Sequence, residues 1–424
     1  MASSVSLSEY LRLTRENHNF RKLWFAQIVS ELGDWFYTLA IYSLLLDLTG
    51  RASSVALALV LQVLPQTFVG PLAGAINDRL SRRRVMIFAD LMRMLIVGSM
   101  LLVRSARFVW VIYPLLLLET VMAAFFEPAR NSIIPSITVE EDVIVANTLA
   151  SATWSFNLAI GALMGGAVAA LFGRDAVFVL NALSFLVSAV LIGRMHFHEA
   201  HLAAAGPVKI RELFDYSPIV AGLRYISHNR KLLAMVSLKG GVGILGTAWV
   251  LFPVLGQRVL SLPFAISRER AALFGMSLLM GARGLGALVG PLLASHWAGR
   301  RQQRLRSGIF LGFLLGGVGY VSLGLTHNLW VACAVVMLAH TGASTVWVFS
   351  TTLLHLNTED RFRGRVFSAD LGIAMLMVAI ASWTAGQAID RGIAPQVVAS
   401  ATGIAMLLPI VAWSFAMRMW RGES

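Results

Sequence analysis

Across its 424 residues the chain is 57% hydrophobic and only 13% charged, about half the charged share of an average soluble domain. That excludes a water-soluble globule, and the apolar residues fall in helix-length runs rather than in the roughly 10-residue alternating segments of a transmembrane barrel. The net charge of +13 would suit a nucleic-acid binder, but its placement along the chain follows membrane topology and excludes that class too.

The first apolar run follows Arg12, Arg15, Arg21 and Lys22. It continues far beyond a signal-peptide core and carries no small-residue cleavage site, so it is expected to be the first span. Twelve spans are predicted near 20–47, 53–77, 85–103, 109–129, 144–172, 175–195, 231–257, 270–298, 307–326, 328–356, 365–389 and 394–418. Lipid-exposed backbone must close its own hydrogen bonds, so each run is a helix. With both termini cytoplasmic, 24 of the 35 Lys and Arg fall in cytoplasmic segments and 8 in external loops, while Arg93, Lys239 and Arg283 lie within spans. This bias sets the orientation.

Span one carries Gln27, Glu31, Asp34 and Thr38 at i, i+4, i+7 and i+11, one face of a helix. Ionisable groups within a bilayer mark functional sites by default. Two carboxylates a turn apart in a low dielectric repel each other, so one of them is expected to exchange a proton near neutral pH; the alternative is a static pair with basic residues elsewhere. Span two adds Gln62 and Gln66. Asp90 with Arg93, and Glu127 with Arg130, are i,i+3 opposite-charge pairs close to the cytoplasmic face. Glu119 lies about ten residues into span four, with no basic residue one turn away.

The longest polar interval, about 196–230, separates an expected six-helix bundle at 1–195 from a second at 231–424. Within it Ile219, Leu223 and Ile226 share one helical face, which predicts a short helix on the cytoplasmic membrane surface. His196, His198, Glu199 and His201 are ligand-type residues at a spacing that suits no defined metal geometry, so a solvated loop is expected and no metal site. In the second half, Lys239 opens a run with Gly240, Gly241, Gly243 and Gly246 that permits either bending or close packing. Arg283, central in span eight, cannot usefully lose its proton and must meet an anion, from the protein or from a substrate. His340, Thr341, Ser344 and Thr345 place polar groups in span ten, with His340 expected as a hydrogen-bonded packing residue rather than a titrating one. Asp370 lies about one turn into span eleven. Trp35, Trp249 and Trp347 either stack on an aromatic or lipophilic substrate or pack structurally. Cys333, the single cysteine, allows no intrachain disulfide and reads as a small buried hydrophobe.

The halves repeat. Val69-Gly70-Pro71-Leu72 near the end of span two matches Val289-Gly290-Pro291-Leu292 near the end of span eight. Parallel repeats of this kind build transporters with substrate bound between them.

Gly74-Ala75-Ile76-Asn77-Asp78-Arg79-Leu80-Ser81-Arg82-Arg83, between spans two and three, resembles the loop signature of the major facilitator superfamily, departing only at Ser81. Leu32-Gly33-Asp34-Trp35, Phe126-Glu127-Pro128-Ala129-Arg130, Ile134-Pro135, Ala146-Asn147 and Arg363-Gly364-Arg365-Val366 resemble its subgroup of macrolide-efflux, siderophore-export and lysophospholipid-transport proteins. The span-five signature of drug–proton antiporters reads here Gly161-Ala162-Leu163-Met164-Gly165-Gly166. The glycines for close packing remain and the proline is missing, which separates proton antiport from the fold as an expectation.

The resemblance implies an all-α fold of two pseudo-symmetric six-helix bundles in a bacterial inner membrane, working as a monomer by alternating access. The first and fourth helices of each half would line the cavity, so Glu119 would join Glu31 and Asp34 as proton-coupling residues, the alternative being a buried structural pair. Gln27, Thr38, Gln62, Gln66, Lys239, Trp249, Arg283, His340 and Ser344 would face substrate. Gly74, Asp78, Arg79, Arg82, Arg83, Asp90, Arg93, Glu127, Arg130 and Arg365 would form a cytoplasmic gate. No Gly-x-Ser-x-Gly, His-Glu-x-x-His or Walker loop occurs, so neither an enzyme nor an ATP-driven pump is expected, and no cofactor beyond a proton gradient. The expected function is export of an amphipathic small molecule, as multidrug or macrolide-type efflux by proton antiport, with lysophospholipid or siderophore transport, with or without proton coupling, as the alternative. Membrane lipids and the substrate are the expected partners.

Overall fold

The computed structural model describes residues 7–199, 202, 217–260, 268–299 and 301–421. Every regular element among them is helical. No helix is predicted ahead of span one. The structure has one, α1 (Leu7–Glu16), because Tyr10 and Leu13 pack into a core with Phe20, Leu23, Phe126 and Ala146, and Arg12 reaches Asp142 at 2.5 Å.

Spans one to six follow as α2 (His18–Thr49), α3 (Ala52–Asn77), α4 (Arg82–Met100), α5 (Ile112–Ile137), α6 (Val143–Phe172) and α7 (Arg174–Gly193). Then come α8 (Ser217–Ser227), α9 (Arg230–Gly243), a 3-10 turn (Ile244–Thr247), α10 (Ala248–Arg258), α11 (Arg268–Ala298), α12 (Gln302–Leu325), α13 (Leu329–Leu356), α14 (Asp360–Asp390), α15 (Pro395–Ala405) and α16 (Leu407–Arg421). Each of the twelve predicted spans therefore has a helical counterpart. Ten of these segments are long and apolar enough to cross a membrane. The other two are α2 and α4, which carry Glu31 with Asp34 and Asp90 with Arg93.

The chain forms two compact units, residues 1–41 with 65–215, and residues 42–64 with 216–424. The sequence kept 42–64 with the 1–195 bundle. In the structure the α2–α3 turn is tied to elements of the second unit instead: the Asp390 carboxylate accepts the backbone N–H groups of Ala52 and Ser53 at 2.7 and 3.0 Å, Gln257 donates to Asp47 at 2.6 Å, and Arg258 donates to the Gly50 carbonyl at 2.7 Å. Asp390 thereby satisfies amides that open α3 and that have no partner within the helix.

In the first unit, α2 crosses α6 where small residues let the backbones approach. A Cβ at Gly165 would lie 2.7 Å from the Phe36 Cα, and one at Gly161 would lie 2.8 Å from the Trp35 Cβ. In the second unit, the glycine run resolves both of its alternatives. The helix tightens to 3-10 over Ile244–Thr247, Gly243 and Gly246 press on the backbone of α14 at Ala374 and Val378, and the Ser382 hydroxyl donates to the Gly246 carbonyl at 2.7 Å. The short helix predicted near 219–226 is α8. It packs on the start of α14, with Tyr225 stacked on Phe362 at 4.1 Å and Gly222 against the Arg365 backbone, while Leu223 stays exposed. His201 lies outside the described residues.

Candidate functional site

In the first unit the face of α2 predicted to be polar meets two guanidiniums. Arg93 of α4 donates to Glu119 of α5 at 2.9 Å and to Asp34 of α2 at 2.8 Å, with Asp90 at 3.8 Å. Its guanidinium also stacks on Phe185 of α7, 4.1 Å from the ring centroid. The Asp90 side chain is fully buried and neither of its oxygens has a hydrogen-bond partner. Asp34 is the exposed member of the group, its side chain 33% accessible.

One turn toward the start of α2, Glu31 accepts from Arg130 at 3.0 Å, from Gln27 at 2.8 Å and from Asn157 of α6 at 3.0 Å. Arg130 also holds Glu127 at 2.7 Å. Gln27 donates in addition to the Ala150 carbonyl, and the Thr38 hydroxyl is taken by the Asp34 carbonyl. Four helices thus supply one network, with five carboxylates around two guanidiniums.

The sequence grouped Arg93 and Arg130 with a cytoplasmic gate and left Glu119 without a base. Here the same two arginines are the counter-ions of Asp34, Glu119 and Glu31. The i,i+3 pairs that looked local are the inner edges of a larger set. Part of the signal was available in sequence: α2 and α4 fall short in hydropathy, whereas α5, which supplies Glu119, Glu127 and Arg130, is apolar enough to hide its share of the charge.

The remaining gate residues lie nearer the helix ends. Arg82 contacts Asp78 at 3.3 Å and donates to the Ser132 carbonyl at 3.0 Å. Arg83 donates to the Ile192 and Gly193 carbonyls that end α7, a cation at a helix C-terminus, and its own N–H is accepted by Glu199 at 3.1 Å. Arg79 donates to the Ala75 carbonyl at 3.4 Å, and Gly74 has open space where a side chain would stand. Arg365 lies 5.8 Å from the Phe362 ring. Gln66 is exposed.

The second unit holds a separate set. Lys239 forms an ion pair with Asp370, both side chains buried, and its ammonium lies 4.8 Å from the Trp347 ring and 5.8 Å from Phe367. Arg283 stacks on Trp249 at 4.1 Å, and Trp249 meets Tyr42 edge-to-face with centroids 6.3 Å apart. The Tyr42 hydroxyl donates to Gln62 at 2.7 Å. His340 and Tyr320 share a hydrogen bond of 3.1 Å, which places His340 in packing. Ser344 sits where Gly286 and Gly290 of α11 approach α13, its hydroxyl directed to main-chain carbonyls.

Set beside known proteins, residues 13–424 match the profile of the transmembrane secretion effector family. The macrolide efflux protein A of Streptococcus pyogenes is 23% identical over 381 residues, 85% of this chain and 87% of that protein. The MFS-type transporter YfiS of Bacillus subtilis (strain 168) is 29% identical over a shorter stretch of 181 residues, so the chain spans 43% of that relative's length and 42% of its own. A solved bacterial homolog of the human lysosomal transporter Spinster, inward-facing and unoccupied, superimposes with a TM-score of 0.70 at 15% identity, covering 95% of this chain and 98% of that one; at that identity the likeness is one of fold. Family, span count and helical architecture agree, and the chain belongs to the transmembrane secretion effector family of major facilitator transporters, membrane proteins and not enzymes.

Proposed function

We propose that this transporter exports an amphipathic small molecule from the bacterial cytoplasm by alternating access, in exchange for protons, with both termini on the cytoplasmic side of the inner membrane. One observation carries the reading. Arg93 and Arg130 cannot neutralise Asp34, Asp90, Glu119, Glu31 and Glu127 together, and a fully ionised set would carry three surplus negative charges, with Asp90 and Glu119 buried and Glu31 largely so. Uncompensated charge in such a place is costly, and protons are the counter-ions that can arrive and leave with each cycle. Asp34, the most accessible of the carboxylates around Arg93, is where they enter. Loading a proton on Asp34 or Glu119 frees Arg93 from one partner, and loading Glu31 does the same for Arg130, so proton occupancy changes which helices the arginines hold. Two arrangements of the same charged groups, each favoured by a different proton count, are what coupled transport requires. The relationship to macrolide efflux protein A supports a lipophilic cargo moving outward.

The test is proton release from energised everted vesicles, challenged in turn with lipophilic cations, catechol siderophores and lysophospholipids. Glu31→Gln and Asp34→Asn proteins run beside the wild type. The expected result is collapse of the pH gradient by one class with wild-type protein only. If a labelled compound crosses while no class moves protons, coupling by this network is refuted and facilitated transport takes its place.

A further inference from the structure

Arg283 lies halfway along α11, about 22 Å from either end at 1.5 Å per residue. A guanidinium there is always charged and offers five N–H donors. Its contacts are few: Trp249 covers one face, and Met280 Sδ lies 3.9 Å from a terminal nitrogen. No carboxylate among the described residues pairs with it. Within the same unit Asp370 is held by Lys239, Asp47 by Gln257, and Asp390 by the first amides of α3. The groups that face Arg283 are the phenols of Tyr42 and Tyr320 and the imidazole of His340, and none of them supplies a negative charge. The Arg283 side chain is half-buried rather than sealed, so part of it borders accessible space.

Packing alone does not account for this. An arginine at mid-helix that served only to fill space would be better replaced by an apolar residue of its size. A guanidinium with its face on an indole and its edge unoccupied presents the fork that matches a carboxylate or phosphate. Trp249 and the edge-on Tyr42 give the flanking apolar surface. The geometry points to Arg283 as the anion-recognising residue of a substrate site, with Trp249 positioning its fork, for a cargo that joins one carboxylate or phosphate to an apolar body. This deepens the export reading by naming the substrate class, and it excludes a simple lipophilic cation as the preferred cargo.

Binding by the purified full chain in phosphatidylcholine nanodiscs, measured by equilibrium dialysis, tests it apart from transport. The probes are N-dodecanoylglycine, its primary amide, dodecyltrimethylammonium and dodecanoyl lysophosphatidate. The wild type is expected to bind at least one anion about tenfold or more tighter than the amide, the size of one charge-assisted interaction, and the ammonium no tighter than the amide. Carboxylate over phosphate would mark a free acid as cargo, and the reverse a lysolipid headgroup. Arg283→Gln should erase the preference. Arg283→Lys, which keeps charge but not the fork, should reduce it several-fold, and it serves if the glutamine variant fails to fold. Equal affinity for acids and amide in the wild type, tightest binding of the ammonium, or an anion preference that survives Arg283→Gln would each overturn the assignment. Proton release from vesicles is read separately: its absence with the anion preference intact refutes coupling, and its presence without the preference refutes only this site.

Discussion

Arg93 is the residue on which most of the first unit's buried charge depends. It draws on α2, α4 and α5 at once, and Phe185 of α7 closes its remaining face. Removing one partner of a buried ion set costs about 3–5 kcal/mol because the others are left uncompensated. Arg93→Met is therefore expected to lower the thermal midpoint in detergent more than any single carboxylate substitution around it. Asp90→Asn should cost least, since neither Asp90 oxygen has a hydrogen bond to lose. Equal midpoints for Arg93→Met and Asp90→Asn would show that Arg93 is not the hub. Glu31→Gln keeps the size of the side chain and one oxygen to accept from Gln27 and Arg130, which share Oε1, so the fold should survive while proton-linked transport is lost. Glu31, Asp34 and Glu119 were visible in the sequence as charges inside apolar runs. Their partners were not, because which helix lies beside which is set by tertiary packing, and an i,i+3 neighbour such as Asp90 offers a local explanation that hides the longer one.

At the scale of the elements, the helices follow from apolar runs and their breaks from glycine and proline. Where helices touch is decided by backbone approach, which hydropathy does not report. Gly165 and Gly161 are such contact points. A leucine at Gly165 would drive into the Phe36 backbone, and overpacking of this kind costs about 1–3 kcal/mol. Gly74 has nothing within reach of a new Cβ, so Gly74→Ala should leave the midpoint unchanged within about 0.5 kcal/mol. Thermal scans of the two variants make the comparison, and a Gly165→Leu protein as stable as Gly74→Ala would mean that α2 and α6 do not meet as described. The 3-10 turn at Ile244–Thr247 was foreshadowed by its glycines, but the carbonyl it frees is satisfied by Ser382 on α14, a partner 136 residues away in the chain.

For the whole molecule, the charge asymmetry across the spans makes a topological prediction. Single cysteines placed at Arg51 and Arg391 in a Cys333→Ser protein should react with an impermeant maleimide in intact cells, and cysteines at Arg84 and Arg304 only after permeabilisation. The opposite pattern would invert the orientation. The twelve helical segments were legible from composition, because lipid leaves the backbone few choices. The membership of residues 42–64 was not, because it rests on a few polar contacts made by residues far along the chain.

That membership carries a consequence for synthesis. The first amides of α3 are capped by Asp390, 338 residues later. At about 5–20 residues per second, a ribosome reaches that aspartate roughly 17–70 s after α3 has been made. Through that interval the first hairpin waits in the bilayer with an unfinished helix end, so premature termination anywhere before Asp390, the last residue of α14, leaves a nascent protein that membrane quality control can recognise by its bare N–H groups. Nonsense alleles late in the reading frame should accordingly be cleared as completely as early ones.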